Sequence, residues 1–187
     1  MRPIQRDNSF PGFSALAAGP EAPLEMLAAC HGRIEHQCAA LERLVPHLLT
    51  HGSDQQARSA AVSVMRYFDS AARDHHADEE VDLFPALIES MAGSDAVCIR
   101  ELIESLSAEH RRLELSWRVV RATLEQIVAG DAEVLDADAV AAFTQTYARH
   151  IEREESELLP MAARLLGDAQ LDEVGRAMRE RRGIGVV

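Results

Sequence analysis

The chain has 187 residues, 47% of them apolar and only 4% aromatic, with a formal charge of −12 and a pI near 5.1. Such acidity argues against partners held by their phosphates, nucleic acid or an anionic membrane, and the charge favours solubility. Three cysteines (Cys30, Cys38 and Cys98), an odd number without a CxxC pair, exclude a disulfide framework and point to a reducing, cytoplasmic compartment.

Residues 1–22 contain Pro3, Pro11, Gly12, Gly19 and Pro20 and read as an irregular N-terminal arm, docked by Phe10 and Phe13. The arm has no apolar signal-like stretch, and no apolar run in the chain is long enough to span a bilayer. Residues 23–187 form the second unit. A helix is expected over 24–50, kinked or ended by Pro46. HGSD (51–54) breaks the chain and offers Ser53 or Asp54 as an N-cap. A second helix covers 54–91, with a bend near Pro85. AGSD (92–95) precedes a third over 95–128, and AGDAEVLDAD (129–138) is a loop. A fourth helix runs over 138–166 and contains Pro160, and a short last one extends to Arg182. RERR (179–182) reads as a cationic helix end rather than a binding patch. The fold class is all-α, an antiparallel up-down four-helix bundle with a short C-terminal extra helix.

Each long helix shows one stripe of apolar residues at steps of three and four. These are Leu27, His31, Ile34, Cys38, Leu41, Val45 and Leu48 in the first, then Val64, Phe68, Ala71, His75, Glu79 and Leu83. The third has Ile103, Leu106, His110, Leu113, Trp117, Val120, Leu124 and Ile127, and the fourth Phe143, Tyr147, His150, Glu154, Leu158 and Met161. Every stripe therefore carries one histidine, and two carry a glutamate one turn later. A single buried histidine is an ordinary core residue, but a buried carboxylate needs a partner. Four histidines and two glutamates on facing stripes make a metal site the better reading, because neutral imidazoles and ionised carboxylates are ligands. His75 with Glu79, and His150 with Glu154, lie one above the other on their helix faces. Two such pairs suit a pair of metal ions. Oxygen and nitrogen donors without thiolate suit iron, with manganese or zinc as alternatives.

The chain also repeats itself. HGRIEHQ with HHADEEVDLFP forms one half, and HRRLELS with HIEREESELLP the other, with Pro85 and Pro160 at the same distance beyond each motif. Glu35 and Glu114, four residues after His31 and His110, flank the stripes and are read as outer partners of the site or as solvated charges. His76 with Glu80 repeats the HxxxE spacing but points about 100° off the stripe, so it ranks below His75 with Glu79. His36, His47 and His51 are placed on the surface or in loops. Tyr147, Trp117 and Phe68 form an apolar shell, with Tyr147 able to turn its phenol to the site. Cys38 is packed rather than reactive.

At HxxI from His31, HxxxEExxLFP from His75, the isolated His110 and HxxxEExxLLP from His150, residues 24–166 resemble the hemerythrin-like proteins, also called HHE cation-binding domains. The resemblance implies a four-helix bundle around two non-haem irons, with His31, His75, His110 and His150 as terminal ligands and Glu79 and Glu154 bridging. The oxygen-carrying members have HxxxH on the third helix and HxxxxD on the fourth; here Glu114 follows His110, and Glu154 follows His150. That set is closer to members implicated in nitric oxide response and repair of iron–sulfur centres. The expected function is binding or sensing of a diatomic ligand, oxygen or nitric oxide. The alternatives are iron donation to damaged iron–sulfur centres or reaction with peroxide, and a structural metal or interaction bundle.

Overall fold

A computed structural model describes residues 22–90 and 96–184, and among them every regular element is helical. The expected N-terminal arm lies outside the described residues, except for Ala22, which precedes the first helix. So does the expected AGSD break.

The first helix, α1, spans Pro23–His51. Pro46 does not end it: the residue is exposed, so the Glu42 carbonyl that loses its partner faces water, and the helix runs on for another turn. Gly52 then turns the chain at φ 63°, a conformation that costs a glycine nothing. Asp54 caps α2 (Gln55–Asp69) by accepting from the Ala57 amide at 2.7 Å. Ser53 instead ties this corner to the opposite loop, donating to the carbonyls of Ile127 and Ala132.

The second rod is not the continuous helix expected. It breaks at Ser70, where φ is −128° and ψ −83°, before α3 (Ala71–Ala77). A π turn over Asp78–Leu83 follows, then α4 (Phe84–Glu89). The fourth rod repeats the device: α6 (Ala137–Arg153), a π turn over Glu154–Leu158, and α7 (Leu159–Leu165). The cause is the proline that follows each motif. Its ring crowds the carbonyl four residues back and it lacks an N–H. A π turn widens the ladder there, so the bend expected beyond the site begins within the site itself. Each π turn also inserts a residue and slips the buried stripe by one. Phe84 and Leu87 are therefore buried after Leu83, and Leu159 and Ala162 after Leu158, while the expected Met161 is only half-buried.

The third rod is the unbroken α5 (Ala96–Ala129), and α8 (Asp168–Arg181) closes the chain. α1 packs on α2 and α6, and α5 packs on the same two helices, which closes a ring of four rods. α8 lies across α1 and the first π turn. Two apolar clusters result. One gathers Ile34, Leu41, Phe68, Leu113, Trp117 and Phe143; the other gathers Leu27, Leu83, Leu106, Leu158, Val174 and Met178. A layer of buried polar residues separates them.

Candidate metal centre

The polar layer consists of His31, His75, Glu79, His110, His150 and Glu154, all at 4% exposure or less. The six residues singled out in the sequence are thus brought together, one histidine from each rod and a glutamate from each π turn. Two donor groups result, His31, His75, Glu79 and Glu154, and Glu79, His110, His150 and Glu154. In each, one donor atom per residue lies within 4.8 Å of the others.

The two carboxylates divide their oxygens between the groups. Glu79 turns Oε1 to His75 Nε2 (3.7 Å) and Oε2 to His110 Nε2 (3.2 Å). Glu154 turns Oε2 to His31 Nε2 (3.1 Å) and Oε1 to His150 Nε2 (2.8 Å). None of these approaches has hydrogen-bond geometry, so all these atoms are buried without a hydrogen-bond partner.

The far side of three imidazoles explains why. His110 Nδ1 lies 2.8 Å from Glu80, His31 Nδ1 3.1 Å from Glu155, and His150 Nδ1 2.9 Å from Glu109. A carboxylate only accepts, so each Nδ1 carries the proton and each neutral ring aims the Nε2 lone pair inward. There it meets other acceptors. Among the described residues ten buried side-chain atoms have no partner, and nine belong to these six residues. Each such atom costs about 1–3 kcal/mol, so together they would consume the whole margin of about 5–15 kcal/mol that holds a domain folded. A cation between the lone pairs removes the conflict, and the donor set fits one.

Without metal, protons must do that work. Burial opposes charge on His110, but the carboxylates of Glu154 and Glu79 outweigh it and raise its pKa to about 10. His31 and His75 are likewise raised against their burial, by Glu154 and by Glu79 with Glu154 respectively. Burial would push Glu154 up, but the four surrounding histidines hold it well below the ordinary carboxylate range.

Of the two readings for Glu35 and Glu114, solvated charges is the one the structure supports. Glu35 is exposed, and exposed Glu114 pairs with Arg118 at 2.7 Å, so neither supports an imidazole. Glu80, Glu155 and Glu109 do. The doubled glutamate of each motif was the available signal: the π turn lets the first point inward while the second reaches across to a histidine of the other half. Glu109 had no such signal beyond its place beside His110. His75 breaks the pattern, since its Nδ1 has no partner. Cys30 lies beside it; burial pushes that thiol up, but His75, Arg33 and Arg182 outweigh burial and lower it.

His76, off the stripe as its spacing implies, stacks its ring on His110, centroids 4.0 Å apart and planes 13° from parallel. An angle of about 100° off the stripe of this rod faces the neighbouring α5 rather than water. Tyr147 is a core aromatic, 5.1 Å from Phe143 and 5.6 Å from Phe68, and 6.4 Å from His150. Burial, with Cys38 and Glu154 nearby, keeps its phenol protonated, well above its ordinary pKa. Cys38 is packed, its thiol pushed up to about 12 by burial and by Glu42 and Glu35. A pocket of about 550 Å³ runs from the surface between the second rod and α5 to His76 and His110.

The RERR cluster is more than a helix end. Arg181 and Arg182 both pair with Asp78, which is fully buried beside Glu79, and Arg181 also reaches Asp82 at 2.7 Å. α8 thereby clamps the first π turn.

No described helix is long and apolar enough to cross a membrane. The chain is 33% identical over 162 residues to an uncharacterized protein of Haemophilus influenzae, a match covering 87% of this chain and 91% of that one. The family model of the hemerythrin HHE cation binding domain matches residues 22–162, the stretch that supplies the first three rods, nearly all of the fourth and all six buried polar residues. With its histidines and glutamates gathered between two apolar clusters, the chain belongs to the hemerythrin HHE cation-binding domain family.

Proposed function

We propose that this chain is a cytoplasmic non-haem di-iron protein that binds or senses a diatomic ligand, oxygen or nitric oxide. One iron is held by His31 and His75 and the other by His110 and His150, with Glu79 and Glu154 bridging. The observation that carries this reading is the division of each carboxylate's oxygens between two histidine pairs. The bundle is read as antiparallel and up-down. In support, successive rods run from Leu27 to Ile34, Phe68 to Leu83, Leu106 to Leu113 and Tyr147 to Leu158, crossing between the two apolar clusters in alternating order.

Bound iron would supply reversible redox chemistry and coordination positions that six side chains leave free. The protein supplies the rest. Glu80, Glu155 and Glu109 hold the Nδ1 protons and so keep three imidazoles aimed inward. Phe68, Trp117, Phe143 and Tyr147 pack together on one side of the layer, and all but Phe143 line the pocket that opens there. The pocket beside His110 gives a small molecule a way in.

The test is metal content per chain on protein prepared without added metal, followed by stopped-flow spectroscopy of the reduced protein with each gas. Two irons per chain and a spectral response to oxygen or nitric oxide are expected. Zinc alone, or iron that responds to neither gas, overturns the proposal.

A further inference from the structure

The two halves of the repeat support their motif histidines differently. In the second half, His150 is held through a chain of hydrogen bonds. Its Nδ1 donates to Glu109 at 2.9 Å, and the other oxygen of Glu109 accepts from Arg153, which also donates to Ser105 Oγ at 3.0 Å. Ser105 and Glu109 stand one turn apart on α5, and His150 and Arg153 one turn apart on α6. Arg153 thus ties the carboxylate between the two helices, and Glu109 is only 17% exposed. Glu80 and Glu155, which serve His110 and His31, are 41% and 38% exposed, and among the described residues no arginine pairs with either.

His75, the counterpart of His150, has no such support. Its ring is fully buried, and its Nδ1 has no partner. The repeat shows what is missing. Glu109 immediately precedes His110, whereas the residue immediately before His31 is Cys30. Cys30 lies beside His75 as Glu109 lies beside His150, so a thiol, a weak acceptor, stands in the carboxylate's place. Arg33 donates to Cys30 Sγ at 2.9 Å, so that sulfur serves an arginine and not the ring. Three residues after each motif histidine the halves differ again. Arg153 stands in one and Asp78 in the other, and Asp78 is committed to Arg181 and Arg182 of α8.

Building on the two-ion reading, we propose that Arg153 is a positioning residue that braces Glu109 and through it His150, and that the two ions are in consequence held unequally. The ion between His110 and His150 is the retained one, and the ion between His31 and His75 is the exchangeable one. An imidazole that turns about its side-chain bonds loses its aim at the metal. Arg153 withholds that freedom from His150, and no hydrogen bond withholds it from His75.

The experiment is release of cobalt(II) from the intact chain, loaded anaerobically with two ions and mixed with excess chelator while the visible absorption decays. Circular dichroism and thermal melts first establish that each variant is folded. Wild type should lose its ions in two phases with rates about tenfold or more apart. Arg153→Ala should quicken the slow phase by about tenfold or more and leave the fast one as it was. Arg153→Lys, which keeps a cationic donor for Glu109 without the planar fork, should recover part of the difference. Cys30→Ala and the exposed control Arg149→Ala should release both ions as wild type does. One release rate for both wild-type ions, or R153A with its slow phase unchanged, overturns the inference and leaves the two-ion reading intact. R153A that quickens both phases alike overturns the positioning role, because a loosened bundle frees both ions. C30A that quickens the fast phase overturns the reading of His75 as unbraced. A wild-type protein that takes up fewer than two ions overturns the two-ion reading and this inference with it.

Discussion

Nδ1 of His110, on α5, lies 2.8 Å from a carboxylate oxygen of Glu80, the residue next to the buried Glu79 on another rod. The same relation recurs in the other half, where Glu155, next to Glu154, takes the Nδ1 proton of His31. Each half of the repeat thus orients a histidine belonging to the other. The π turns make this possible, because neighbouring residues of an α-helix diverge by about 100°, whereas here one glutamate enters the layer and its neighbour reaches across.

Glu80→Gln should therefore weaken metal binding, since an amide accepts the Nδ1 proton less strongly and can present its own N–H instead. The expected loss is about 10–100-fold in affinity. Glu114→Gln, at an exposed residue paired only with Arg118, should leave affinity unchanged. Competition with a chromophoric chelator measures both, and equal affinities in the two variants would count against an orienting role for Glu80.

The metal-free protein should lose stability as pH rises. The folded-state pKa of His110 is about 10, above its ordinary 6.5, so folding is favoured by the proton it gains. That contribution is fully present below pH 6.5 and is lost as pH climbs through about 10. Metal loading displaces the same protons, so uptake should release protons and strengthen with pH over this window. Thermal melts of chelated and loaded protein at pH 6.5, 8 and 10 check the first expectation, and calorimetry in buffers of different ionisation enthalpy checks the second. A metal-free melting temperature that rises with pH would contradict the first.

Asp78 is buried and is neutralised by Arg181 and Arg182 of α8. Replacing both arginines by alanine leaves a buried carboxylate unpaired and should cost about 3–5 kcal/mol, measured by urea denaturation. Because Asp78 adjoins Glu79, the metal-loaded protein should also release its ions faster to a chelator. Arg176→Ala, which removes an exposed pairing with Glu173, should change stability by no more than about 0.5 kcal/mol.

Deleting Val81, exposed within the first π turn, should be far more damaging than Val81→Ala. The substitution touches little and should stay within about 0.5 kcal/mol. The deletion would return the segment to an α-helix, turning His75 and Glu79 by about 100° relative to Leu83, Phe84 and Leu87. Either the site or the apolar cluster must then be lost. A melting temperature and metal content close to wild type would show that the π turn is dispensable.

The six buried polar residues could be read from the sequence because their signal is local. Histidines and glutamates at helical spacing within apolar stripes declare which face of each rod they occupy, and the repeat declares that the rods come in similar pairs. The helical class and the cap at Asp54 follow from the same short-range rules. What lay beyond reach depends on distances across the bundle. Glu80, Glu109 and Glu155 gain their partners only when another rod lies opposite, and spacing alone left Glu35 and Glu114 open between outer partners and solvated charges. His76 looked peripheral because a helical wheel knows only its own axis and not that α5 fills the space beside it. Whether Pro46 kinks, ends or spares its helix stayed open, since whether the lost hydrogen bond matters depends on the freed carbonyl reaching water. The pairing of Arg181 and Arg182 with Asp78 joins positions about a hundred residues apart. Spacing within a helix sets which way a side chain points, and only the packed tertiary structure decides what it meets.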